Sequence, residues 1–197
     1  MHGLMNRSIQ RFIADSYGGD IWEEICRDAN LGFESFEAML SYDAVVTGAV
    51  LNAACKHLNR RRDSFMEDLG TYLVCHPDLD HLRRLLRFGG DTFVEFLHSL
   101  DELPERAKLA LPELDFPELE LIEHGANAYS LIYRWHHPGF GPLVMGVVRA
   151  MADDYGVLAV LEHASLPTEN GDVDTIAIKL LDSEFADGRG FELGASG

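Results

Sequence analysis

Leu4, Met5, Ile9, Phe12 and Ile13 recur every three to four residues, which predicts a helix that stops at Tyr17-Gly18-Gly19. Asp20 is placed to cap a second helix over residues 21–29. Beyond a loop around Gly32, the residues Val45, Val46, Ala49, Val50, Ala53 and Ala54 predict a third helix over residues 42–58, with small side chains that permit close packing. Asp63 can cap a fourth, carrying Phe65, Leu69, Tyr72 and Leu73, which Pro77 ends; a short amphipathic helix over residues 79–86 then stops at Gly89-Gly90. From Asp91 the series Phe93, Phe96, Leu97, Leu100 and Leu103 keeps helical spacing as far as Pro104, whose ring and missing N–H oppose an uninterrupted helix. Pro104-Glu105-Arg106 suits the first turn of a new one, with an acid near its N-terminus.

After Pro112 and Pro117 the period shortens to two. Residues 119–122, 128–135, 157–161 and 175–181 read as strands, with Gly125-Ala126-Asn127 and Glu169-Asn170-Gly171-Asp172 as turns. One helix crosses the series, opening at Pro142 and carrying Leu143, Val144, Val147, Val148 and Met151. The predicted fold is α+β: a helical N-terminal subdomain over residues 1–62, then a helix plus mostly antiparallel four-stranded sheet subdomain over residues 63–181. Residues 182–197, rich in Gly, Ala and acids, are expected to form a disordered acidic tail.

Composition narrows the function. With 33 Asp and Glu against 16 Lys and Arg the net charge is -17, so phosphate backbones and anionic lipid surfaces are repelled, and neither nucleic acid nor membrane is an expected partner. The triplet Arg60-Arg61-Arg62 reads as a solvated connector. There is no leader pattern and no apolar run of the ~18 residues that span a bilayer, so a cytoplasmic location is expected. Cys26, Cys55 and Cys75 lack C-x-x-C spacing, which favours buried thiols over disulfides or a cysteine zinc site. No nucleophile sits beside a recognisable base, so catalysis has no positive support.

Five segments carry a family resemblance: Met1-His2-Gly3-Leu4-Met5-Asn6, Tyr17-Gly18-Gly19-Asp20-Ile21-Trp22-Glu23-Glu24-Ile25, Glu95-Phe96-Leu97-His98-Ser99-Leu100-Asp101-Glu102-Leu103, Tyr133, and Gly139-Phe140-Gly141-Pro142-Leu143-Val144-Met145-Gly146. In this order, over roughly residues 1–181, the chain resembles the haem nitric oxide/oxygen binding (H-NOX) family, to which the sensor part of soluble guanylate cyclase belongs. The resemblance implies haem b between the two subdomains, a diatomic gas such as nitric oxide as ligand, and signalling to a partner. It places Leu4, Met5 and Leu73 near the distal side of the cofactor and Pro117 near the macrocycle. Because no output domain is evident in the chain, the expected partner is a separate protein such as a histidine kinase or a cyclic-nucleotide enzyme.

Two positions depart from the family pattern. Where the resemblance places the proximal histidine, after Leu100-Asp101-Glu102-Leu103, stands Pro104, which offers iron no donor. Where a Tyr-x-Ser-x-Arg strand binds the propionates, the chain reads Tyr133-Arg134-Trp135-His136-His137, so that Trp135 and His137 replace the serine and arginine. The two-residue repeat puts Tyr133, Trp135 and His137 on one strand face, and Arg134 and His136 on the other. His98 is the candidate replacement ligand, although six residues along a helix set it about 120° and about 9 Å from position 104. A cluster of Cys75, His76, Asp80 and His81 matches no compact metal spacing, and His124 can join only one of His136 and His137 if both lie on a strand. The alternative to haem sensing is a regulatory module of the same fold that is free of haem or holds another small apolar ligand.

Overall fold

The computed structural model describes residues 1–110, 112–113, 115–168, 171–182 and 188. Four helices come first: α1 (Gly3–Tyr17), α2 (Gly19–Asp28), α3 (Ala44–His57) and α4 (Arg62–Cys75). Their starts follow from local chemistry. The Nδ1 of His2 accepts the Leu4 N–H and Asp43 accepts the Val45 N–H, so unpaired donors at the starts of α1 and α3 are satisfied by side chains. Between α1 and α2, Gly18 takes φ 106°, the left-handed turn that a glycine accepts without strain.

A 3-10 turn at Pro77–Leu79 leads to α5 (Asp80–Arg87). The apolar run that ends at Pro104 is not one helix: α6 (Phe93–His98) gives way to a 3-10 turn at Ser99–Glu102, and α7 (Leu103–Ala110) starts anew with Pro104 as its second residue. The missing proline N–H costs nothing there, because the first turn of a helix has no intrahelical acceptor for it. Thr92 and Glu95 close a reciprocal capping box at the start of α6.

Strands β1 (Glu118–Gly125), β2 (Ala128–Arg134), β3 (Leu158–Thr168) and β4 (Gly171–Asp182) form one antiparallel sheet in the order β1-β2-β4-β3, and α8 (Gly141–Asp154) connects β2 to β3. In β2 the expected alternation holds, with Tyr129, Leu131 and Tyr133 buried. The third and fourth strands run longer than their apolar stretches, because the β3–β4 ladder continues through Thr168 and Gly171. The chain after Asp182, where the acidic tail was expected, lies outside the described residues apart from position 188.

Two apolar cores result. One joins α1–α4 with Tyr133, Phe140 and Leu143; the other joins α6–α8 with the sheet. Helix α4, counted by the sequence division with the second unit, gives Phe65, Met66, Leu69 and Leu73 to the first core and Val74 to the second. It crosses α8 at glycine contacts. A Cβ on Gly70 would lie 2.1 Å from the Leu143 carbonyl oxygen, and one on Gly146 would lie 2.1 Å from that of Glu67. The same crossing carries an ion pair, Arg149 Nε to Glu67 Oε1 at 2.8 Å. A buried carboxylate, Asp154 at the end of α8, binds Arg83 at 2.7 Å and Arg87 at 3.6 Å, tying α5 to α8.

Candidate functional site

Between the two cores lies a cavity of about 460 Å³, within the range of roughly 300–1,000 Å³ usual for small-molecule sites. Its wall from α5, the 3-10 turn and α7 consists of Leu82, Leu86, Leu100 and Leu103. Helix α8 contributes Leu143, Val144, Val147 and Val148, and Met5 and Leu73 face it from α1 and α4. The solvent-facing rim differs in kind. Asp115 and Pro117, which precede β1, meet Trp135, His136 and His137, which follow β2.

Tyr133 is buried deep in the cavity lining, and that burial, with the nearby Asp174 and Asp115 carboxylates, raises its phenol well above the ordinary tyrosine range. It therefore stays neutral and keeps its proton to donate. Trp135 is half-buried; its ring meets Tyr133 and Phe140 edge-on at 6.4 and 5.1 Å, while its Nε1–H donates to Asp115 Oδ2 at 2.8 Å. The aromatic side chain thus fills the cavity rim and fixes a carboxylate there. His137 lies below the ordinary imidazole range, first because it is desolvated and then because of neighbouring positive charge.

Of the residues singled out from the sequence, Met5, Leu73, Pro117, Tyr133, Trp135 and His137 all line the cavity. Leu4, half-buried on α1, is not in that lining. Nor is His98: its side chain is 53% exposed, with its Nε2 3.9 Å from Glu123 and its ring edge-on to Tyr129. His136 does not point to the strand face opposite His137 that alternation predicts. Strand β2 ends at Arg134, so alternation stops there; the chain bends at His136 and His137, and their rings come together with centroids 4.0 Å apart. His124 is elsewhere, 2.8 Å from the Ser130 hydroxyl, and His76 faces Asp15 and Tyr72. Arg134 turns away from the rim to Glu120 at 2.9 Å. Asp115 and His2, both in the lining, escaped the sequence reading because no periodicity or spacing connects them to the cavity.

The family model described as Haem-NO-binding matches residues 2–163. The chain belongs to this family. Among curated relatives, soluble guanylate cyclase 89Da of Drosophila melanogaster is 22% identical over 155 residues, and soluble guanylate cyclase gcy-31 of Caenorhabditis elegans is 24% identical over 154. Those stretches cover 79% and 78% of this chain but only 23% and 22% of the relatives, so the chain spans less than a quarter of their length. Solved H-NOX structures share the fold. The Fe(II) unliganded protein from K. algicida superposes with a TM-score of 0.79 at 14% identity, covering 92% of this chain and 97% of that one. The S. oneidensis protein in its Fe(II)NO state gives 0.77 at 14%, covering 92% and 100%.

The fold and the family are therefore those of the resemblance, but the lining does not fit haem held by a helix histidine and an arginine-bearing strand. The α5–α7 wall presents four leucines and no nitrogen donor. Among the described residues no guanidinium lines the rim, and the carboxylate of Asp115 sits beside Trp135 and His137, where it would repel a propionate of the same charge.

Proposed function

We propose that this H-NOX domain is a regulatory module that responds to a small apolar ligand without histidine-ligated haem. The observation that carries the reading is the leucine wall of Leu82, Leu86, Leu100 and Leu103, which ends next to Pro104, the position where the resemblance places the proximal histidine. Burial of apolar ligand surface against such a wall contributes about 25 cal/mol per Å². Directional selection comes from the Tyr133 hydroxyl, which is held neutral inside the lining.

A bound ligand touches α1 and α4 on one side and α5, α7 and α8 on the other, so occupancy bears on how the two cores pack against each other. A ligand with different affinity for two such packings shifts their populations, and a partner that reads one of them receives the signal. By relationship to the guanylate cyclases, that partner is a cyclic-nucleotide enzyme or another signalling protein such as a histidine kinase.

Haem titration followed by the Soret band, alongside titration with an apolar anilinonaphthalene dye, tests the reading. The wild type should bind the dye saturably and show no stoichiometric haem with an axial nitrogen. Pro104→His alone should bind haem weakly, and adding Trp135→Ser and His137→Arg should strengthen it clearly, because iron ligation and propionate capture are separate contributions. Stoichiometric, nitrogen-ligated haem in the wild type would overturn the proposal.

A further inference from the structure

We infer that Asp115, His136 and His137 form a binding site for a divalent transition-metal ion of the zinc type at the cavity rim. The inference goes beyond the apolar-ligand reading and does not depend on what fills the cavity.

Among the described residues these three bring one carboxylate and two imidazoles together, with ligand atoms all within 4.8 Å of one another. Asp115 Oδ2 lies 3.3 Å from His136 Nε2 and 3.9 Å from His137 Nε2. Tetrahedral zinc with bonds of about 2.0–2.1 Å needs donor atoms about 3.3 Å apart, so a small closing movement of His137 completes a trigonal face around an ion. The backbone prepares this arrangement. The bend after β2 turns two consecutive histidines to the same side, and Gly139 at φ 80° lets the chain turn on towards α8.

A simple ion pair accounts for the arrangement less well. One imidazole suffices to pair with a carboxylate, whereas here both rings converge on one oxygen while standing 4.0 Å from each other. A cation shared by all three groups accounts for that convergence. Imidazole nitrogen with carboxylate oxygen suits zinc and its transition-metal neighbours, whereas calcium and magnesium take oxygen ligands throughout. Trp135 supplies the outer support usual at metal centres: its Nε1–H binds Asp115 Oδ2 at 2.8 Å and holds the carboxylate towards the histidines. His136 and Asp115 have side chains 66% and 50% exposed, so an ion can enter from solvent. Three protein ligands leave a fourth position for water.

The test uses the whole chain, freed of metal by a chelator and titrated with Co2+ by visible absorption and with Zn2+ by calorimetry. One saturable equivalent is expected, with the ligand-field bands of a four- or five-coordinate cobalt site. The double variant His136→Ala/His137→Ala should lose that equivalent, as should Asp115→Asn. Trp135→Phe should weaken binding by about 10- to 100-fold. His57→Ala, which alters a different histidine–carboxylate group with Glu24 and Asp28, should leave it unchanged. Thermal unfolding without metal checks that each variant is folded, and Asp115→Asn keeps the test decisive should the double variant fail to fold. Absence of saturable binding by the wild type, or undiminished binding by a folded rim variant, would overturn the inference.

Discussion

The inner wall and the rim of the cavity use opposite chemistry. Leu100 and Leu103, only 4% and 8% exposed, are fixed by the packing of α6, α7 and the sheet, and they offer a ligand nothing but contact area. At the rim, Asp115, Trp135 and His136 are partly or largely exposed, and they offer oxygen and nitrogen atoms. The contrast teaches that stability and specificity are separated within this site. The wall is part of a core and cannot change without cost, whereas the rim stands on turns and can exchange its chemistry freely.

The sharpest way to break this contrast is to remove a support of the inner wall. Asp154→Ala removes the buried carboxylate that joins α5 to α8 through Arg83 and Arg87, leaving Arg83 to Asp80 and Arg87 over the Tyr155 ring, and should destabilise the protein by about 2–4 kcal/mol in urea denaturation. A loss under 1 kcal/mol would mean that α5, and with it Leu82 and Leu86, is held otherwise. Next in size is Gly146→Ala, whose Cβ would collide with the Glu67 carbonyl at 2.1 Å; forcing α4 from α8 should cost about 1–3 kcal/mol and reduce dye binding in the cavity. Unchanged stability and binding would show that the two helices can separate harmlessly.

Thr92→Ala removes the cap of α6 and should cost about 1 kcal/mol. The same box has a pH signature. The Thr92 N–H, followed by the Thr92 side chain and the Asp91 N–H, holds the Glu95 carboxyl below its ordinary range. Its contribution is therefore complete above the ordinary glutamate pKa and is lost as pH falls through the lowered folded value. Glu95→Gln should flatten that acid-side decline in unfolding midpoint; an unaltered slope would assign it to other carboxylates. The smallest effect belongs to the rim: metal-free His136→Ala should stay within about 0.5 kcal/mol of the wild type, since its side chain is 66% exposed. A large loss there would erase the distinction between wall and rim.

Much of the framework was legible before any tertiary information. The new helix start around Pro104 follows from proline chemistry alone, and the start of α8 follows from the Gly141-Pro142 opening. The cavity membership of Met5, Leu73, Pro117, Tyr133, Trp135 and His137 came from the family resemblance and from β2 alternation. The same alternation misled at His136, because it was extended past the last strand residue, Arg134, into a bend where the two-residue rule has no force.

By itself the sequence determined the order of helices and strands, the apolar character of the interior and the lack of a donor at position 104, all of which depend on residue type and short-range spacing. Tertiary structure alone decided that Asp115 meets His136 and His137, twenty-one and twenty-two positions further along the chain, and that His98 faces Glu123 and solvent. Those outcomes depend on where β2 ends, how the chain turns towards α8 and how two cores close around a cavity. Local periodicity carries no information about such contacts, because they are set by packing between segments remote in sequence.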